Sequence, residues 1–185
     1  ALLQTPKPEP SIEERNLLSV AYKNVAGDKR TSWRAASGLE QKESLKGHPN
    51  AHLIVQFRKR IEGELKEICY DCLDFVENSI LPICHAAQSR VFFKKMIGDY
   101  YRYLAEFLIE NEKSEVTEKG LAAYEEATEI AEADLAVTDP IRLGLALNFS
   151  VFYYEILNNS IRAQEITRKA FNDAIAEIDE LNEEE

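Results

Sequence analysis

Apolar side chains recur along most of this chain at steps of three and four residues, the spacing that gathers them on one face of an α-helix. Ser11 and Glu14 have the spacing of a capping box, in which each side chain accepts from the other's backbone amide, so a helix is predicted to begin there. Leu17, Val20, Ala21, Val25, Trp33 and Ala36 continue the stripe and predict one long helix to about Gln41, across Gly27. Residues 43–50, with Gly47, Pro49 and Asn50, break the period and predict a loop. A second helix follows on Leu53, Phe57, Ile61, Leu65, Ile68, Cys72, Phe75 and Val76 and ends near Pro82; a third runs from Ser89 to about Ile109 on Phe92, Met96, Tyr100, Tyr103, Leu104 and Phe107. A polar Glu- and Lys-rich loop is expected next, then a fourth helix over Thr117 to Leu135. Asp139 before Pro140 is an N-cap followed by proline at the first helical position, which opens a fifth helix to about Asn158; a sixth spans Ser160 to Leu181, and Glu183 to Glu185 read as a solvated end.

Six helices, no alternating strand and short connections predict an all-α, antiparallel helical array. No fixed period near 34 residues with a tetratricopeptide consensus is present, so a repeat solenoid is not supported. The organisation read from the chain is an extended Pro-containing leader over residues 1–11, with Pro6, Pro8 and Pro10, followed by a helical domain over 12–185. The leader lacks the basic and apolar regions of a signal peptide.

Length and composition narrow the function. At 185 residues one domain, or two very small ones, is expected. The uncharged stretch Leu143 to Tyr154 is far shorter than the roughly 20 residues of a membrane helix, so no membrane association is expected. The net charge of −11 argues against a nucleic-acid partner, which needs clustered cations. That charge is unevenly spread: residues 1–102 carry 16 Lys and Arg against 13 Asp and Glu, whereas residues 103–185 carry 6 against 20. An anion would therefore be met by a local cluster in the first part. The odd count of three cysteines, Cys69, Cys72 and Cys84, is unlike a secreted disulfide framework and suggests a reducing compartment. The CxxC lies inside a helical pattern with no strand before it, and small buried core residues are the reading taken. His48 and His52 flank Pro49 without a carboxylate motif and are assigned to a surface loop, so no metal and no cofactor is expected.

One constellation carries chemistry. Lys23, Arg30 and Arg34 are separated by seven and four residues and line one cationic stripe about 10–17 Å long on the first helix. Lys95 and Arg102 repeat the seven-residue spacing on the third, with Asp99 between them able to orient a base and Tyr103 offering a hydroxyl. Two such stripes can converge on one anion, because the arginine fork grips phosphate oxygens in pairs, at about 1.5–3 kcal/mol per charge-assisted bond. The same charges also fit a solvated face balanced by Asp28, Asp99 and Glu106. On the fifth helix Gly144, Leu147, Asn148, Val151 and Glu155 combine an apolar strip with two polar groups, where the Asn148 amide can pair either with the main chain of an extended peptide or within the protein. No Ser, His and Asp arrangement, Gly-rich phosphate loop or paired-His motif points to an enzyme.

The segments EERNLLSVAYKNVAGDKRTSWRAASGLEQK (13–42), KMIGDYYRYLAE (95–106), DPIRLGLALNFSVFYYEILN (139–158) and the terminal FNDAIAEIDELNEEE resemble the signature stretches of the 14-3-3 family. The resemblance extends from residue 12 onward over nearly the whole chain. It implies an all-α array of the 14-3-3 type and a cytoplasmic, non-catalytic adaptor that docks phosphoserine- and phosphothreonine-bearing clients in an amphipathic groove and regulates them in signalling. By position, the phosphate ligands would be Lys23, Arg30, Arg102 and Tyr103. Asn148 would hold the peptide backbone, Glu155 the polar wall, and Gly144, Leu147 and Val151 the apolar floor, with Arg34 and Lys95 as secondary electrostatic contributors. Ser32, in RTSWR, is a candidate regulatory phosphorylation position; its other reading is a local backbone cap. Relative to the family pattern, the usual first two helices, which make the dimer interface, and the last helix are expected to be lacking, which leaves homo- or heterodimerisation open. Ile97 stands where the family commonly has a basic residue. The alternative function is a helical scaffold or dimerisation protein that has lost phosphopeptide binding.

Overall fold

The computed structural model describes residues 8–45 and 51–183 and among them contains helices and turns, with no strand. The α-helices are α1 (Ile12–Leu45), α2 (Ala51–Phe75), α3 (Ala87–Ala105), α4 (Glu110–Asp134), α5 (Pro140–Glu155) and α6 (Ser160–Glu183). The all-α expectation stands. By backbone proximity the chain falls into two compact units, one made by Ser11–Asp74, the other by the chain from Phe75 onward together with the stretch ending at Pro10.

The first unit is an antiparallel helix pair. Tyr22 donates to Asp71 Oδ2 at 2.6 Å, Lys29 pairs with Glu64, Trp33 Nε1 donates to Glu62 at 2.9 Å, and Arg58 joins Glu40 to Glu62. As the α1 partner advances the α2 partner recedes, which fixes both direction and register. Ser11 N donates to Glu14 Oε2 at 2.8 Å and Glu14 N to Ser11 Oγ at 3.2 Å, so the predicted capping box is formed. Leu17, Val20 and Val25, expected on a core stripe, are instead exposed; Ala26 and Ala36 are the buried apolar positions of α1. On α2, Leu53 and Phe57 are likewise exposed, while Ile61, Leu65, Cys69, Cys72 and Leu73 are buried.

In the second unit the chain widens into a π-helical turn at Val76–Ile80 and tightens into a 3₁₀ turn at Leu81–Ile83. Pro82 has no amide hydrogen to continue an α-helix, which accounts for the predicted stop. The N-terminus of α3 has no local side-chain cap; Glu9 accepts from His85 N at 3.1 Å and Ala86 N at 3.2 Å in its place. Helices α3 and α4 make the most extensive pairing, with α5 against both and α6 on α5.

Several boundaries differ from expectation. Helix α4 begins at Glu110, so the expected polar loop is its first two turns: Glu110 and Glu112 face the positive end of the helix dipole, and Lys119 pairs with Glu115 one turn away. Helix α1 reaches Leu45, because nothing before Gly47 interrupts it, and α3 and α5 stop earlier than expected, at Ala105 and Glu155. His52 lies in the first turn of α2 rather than in a loop; His48 is outside the described residues. The three cysteines are buried and form no disulfide, as the core reading expected.

Candidate functional site

The site's geometry in the second unit starts from two glycines. A Cβ on Gly98 of α3 would lie 2.9 Å from three Tyr124 ring atoms, and one on Gly120 of α4 would lie 3.1 Å from Tyr101 Cβ. Each helix therefore offers a notch to the other's tyrosine, and the backbones approach closely. Tyr124 also stacks on Phe149 of α5, with ring centroids 5.1 Å apart and planes 15° apart, and packs against Phe152. Three helices thus meet around one phenol.

That phenol faces Asp99. Its hydroxyl donates to Asp99 Oδ1 at 2.6 Å; Asn148 Nδ2 of α5 donates to both Asp99 oxygens, at 2.9 and 3.0 Å; Lys95 Nζ donates to Oδ2 at 2.9 Å and Arg102 Nη2 to Oδ1 at 3.3 Å. Asp99 is 6% exposed and Arg102 7%. Burial pushes the Asp99 carboxyl up, but Lys95 and Arg102 outweigh it and hold the group below its ordinary value. For Arg102 burial works against the charge, and Tyr124 and Asp99 more than offset it, so it stays cationic. Burial first, then Asp99, pushes the Tyr124 phenol well above its usual range, so it remains a donor.

The remaining arms of Arg102 point to what it can do. Nε donates to the Tyr124 hydroxyl at 3.4 Å, the guanidinium lies 4.9 Å from the Tyr103 ring centroid, and Nη1 is 3.8 Å from Glu155 Oε2. The last contact is long, and Glu155 is 41% exposed, so it is the weakest of the set. Asp99, expected to orient a base, is instead the buried counter-ion that fixes a cation, a lysine and an amide on two helices.

The structure brings Lys95, Arg102, Tyr103, Asn148 and Glu155 to this cluster or its edge. Lys95 is held by Asp99 rather than standing apart as a diffuse charge. Gly144 has open space where a Cβ would be, Leu147 is 57% exposed, and Val151 is half-buried, as an uncovered apolar strip requires. On α1, Lys23 and Arg34 are exposed, Arg30 is half-buried, and Ser32 Oγ donates to Asp28 O at 2.9 Å. Tyr124 was missed in the sequence. Its signal is faint: one large aromatic in the small-residue run GLAAY, four residues after Gly120.

The second unit thus holds a buried, cationic arginine clamped by a carboxylate of its own helix and a phenol of the next. The chain matches the family model described as 14-3-3 protein over residues 2–185. It is 55% identical over 176 residues to "14-3-3 protein 3" of Entamoeba histolytica, covering 95% of this chain and 73% of that protein. It is 55% identical over 177 residues to "14-3-3-like protein B" of Vicia faba and 53% over 177 residues to "14-3-3 family protein artA" of Aspergillus flavus, each match covering 95% of this chain, with 68% and 74% of those proteins. The chain belongs to the 14-3-3 family. No helix among the described residues is long and apolar enough to cross a membrane, and no group of three or more His, Cys, Asp or Glu there is placed to hold a metal ion.

Proposed function

We propose that the protein is a non-catalytic, cytoplasmic adaptor that binds phosphoserine- and phosphothreonine-bearing segments of client proteins and needs no cofactor. Family membership supports the class of activity. The observation that carries the reading is Arg102: a buried cation fixed by Asp99 and Tyr124, whose outward contact to Glu155 is long and half in solvent.

A phosphate carries about −1.5 to −2 charge and three acceptor oxygens, and it displaces the Glu155 carboxylate from Arg102 with a net gain in charge pairing. Tyr103 donates its hydroxyl, and Lys23 and Arg30 are the further phosphate ligands, with Arg34 and Lys95 adding positive potential. Asn148 Nδ2 faces both oxygens of Asp99, which leaves its carbonyl oxygen to accept an amide of the bound segment. Gly144, Leu147 and Val151 take apolar side chains flanking the phosphoresidue. An unmodified serine brings no negative charge to these cations, so discrimination rests on charge. Pairing with a second family member is part of the same reading, and Ser32 is the proposed regulatory phosphorylation position.

Fluorescence anisotropy with a labelled phosphoserine peptide and its unmodified twin tests this. Loss of one charge-assisted bond is worth about 1.5–3 kcal/mol, so the phosphopeptide binds at least about tenfold more tightly. Equal affinities overturn the proposal. Tyr103→Phe removes one hydroxyl and weakens the phosphopeptide alone.

A further inference from the structure

We propose that a cavity between α4, α5 and α6, separate from the phosphate ligands, binds a small monocarboxylate with an apolar ring or branched chain. The cavity is about 300 Å³, at the lower end of the range that encloses small organic ligands. Ala131, Ala146, Phe149, Ile166 and Ala170 give it apolar walls. The Phe149 wall is held in place by its stack on the buried Tyr124.

Arg142, which also lines the cavity, sets the chemistry. Its Nη1 donates to Ala131 O at 3.3 Å and Leu135 O at 2.7 Å, satisfying carbonyls at the end of α4. Nε and Nη2 have no hydrogen-bond partner among the described residues. A guanidinium anchored through one nitrogen and offering its other N–H groups beside an apolar space matches a carboxylate with a hydrocarbon body. The other cations of the rim are occupied: Lys169 pairs with Glu132, and Arg162 with Glu165 at 3.0 Å. Asp173 also lines the cavity and carries no such pair, so a second negative charge on the ligand meets repulsion and one carboxylate is the fitting number.

Isothermal titration of the full chain with 3-phenylpropionate, at up to millimolar concentration, and with the neutral 3-phenylpropionamide tests the assignment. The acid binds, and the amide binds at least tenfold more weakly. Arg142→Gln, which keeps a donor for the α4 carbonyls, lowers affinity for the acid toward that of the amide, and Asp173→Asn raises it a few-fold. Ala170→Phe fills the space and abolishes binding of both while phosphopeptide affinity is unchanged, which separates this site from the groove. The proposal is overturned by equal binding of acid and amide, by absence of binding of the acid, or by binding that survives Ala170→Phe in a folded variant. Should Arg142→Gln unfold the protein, the acid and amide comparison and Ala170→Phe still decide.

Discussion

The Tyr124 hydroxyl donates a 2.6 Å hydrogen bond to Asp99 from the neighbouring helix, and through that bond a core aromatic positions the arginine proposed to hold phosphate. Tyr124→Phe preserves the ring packing on Phe149 and Phe152 but removes a donor to a buried carboxylate. Hydrogen bonds to charged groups are worth about 1.5–3 kcal/mol, and that is the expected loss in urea denaturation. Phosphopeptide affinity falls as well, because Arg102 loses the hydroxyl beside its Nε. A variant as stable as the parent would show that Asp99 is satisfied without the phenol.

The Gly98 notch between α3 and α4 and the open Gly27 of α1 predict opposite outcomes for chemically identical changes. Gly98→Ala drives a methyl to 2.9 Å from the Tyr124 ring, which is hemmed in by Phe149 and Phe152 and has no flexible end to yield. Overpacking of this kind costs about 1–3 kcal/mol. Gly27 also lies within a helix, α1, but a Cβ there meets nothing within 4 Å, so Gly27→Ala gains about 0.5–1 kcal/mol from helix propensity alone. Thermal unfolding of the two variants, shifted in opposite directions, checks the pair.

What the sequence discloses follows from the range of the interactions involved. Caps are local: Ser11 with Glu14, and Asp139, which accepts from Ile141 N at 2.7 Å, are legible as short motifs. The stripe from Ile61 on α2 to Val76 at the start of the π-helical turn is legible because burial there is helical in period. The start of α4 was not, since a run of Glu and Lys suits a solvated loop and a solvated helix turn equally. Leu17 and Val20 misled for the converse reason, because periodicity marks a face without saying what covers it. In the site, Lys95, Arg102 and Asn148 carry visible spacing or family motifs. The role of Asp99 depends on Tyr124 and Asn148, distant in the chain, and on a notch at Gly98 that no short-range pattern contains.

Acid separates the Asp99 cluster from the rest of the fold. Its folded-state pKa is depressed, so its contribution is fully present above the unfolded value near 3.8 and is lost as pH falls below that toward the folded value. Protonation then leaves Lys95 and Arg102 facing each other without the carboxylate between them. Asp99→Asn removes the titrating group: it is less stable at neutral pH, because a buried charge pair is broken at a cost of about 3–5 kcal/mol. Its stability changes less between pH 5 and pH 2 than that of the parent. Urea midpoints across that range measure the difference, and parallel curves would assign the acid sensitivity to other carboxylates.

Charge reversal distinguishes cations that bind from the cation that also builds the fold. Lys23 is exposed on α1 and makes no ion pair among the described residues, so Lys23→Glu leaves far-ultraviolet circular dichroism and the unfolding midpoint close to those of the parent. It nevertheless places a negative charge where phosphate is proposed to sit, and phosphopeptide affinity falls by at least tenfold. Arg102→Glu behaves differently, because it puts a carboxylate beside Asp99 in a buried setting and removes the partner that holds Asp99 ionised. Its expected loss is about 3–5 kcal/mol of stability together with binding. Anisotropy and denaturation run on both variants check the distinction: binding lost with the fold intact for Lys23→Glu, and both lost for Arg102→Glu. Unimpaired phosphopeptide binding by Lys23→Glu would remove that lysine from the phosphate ligands.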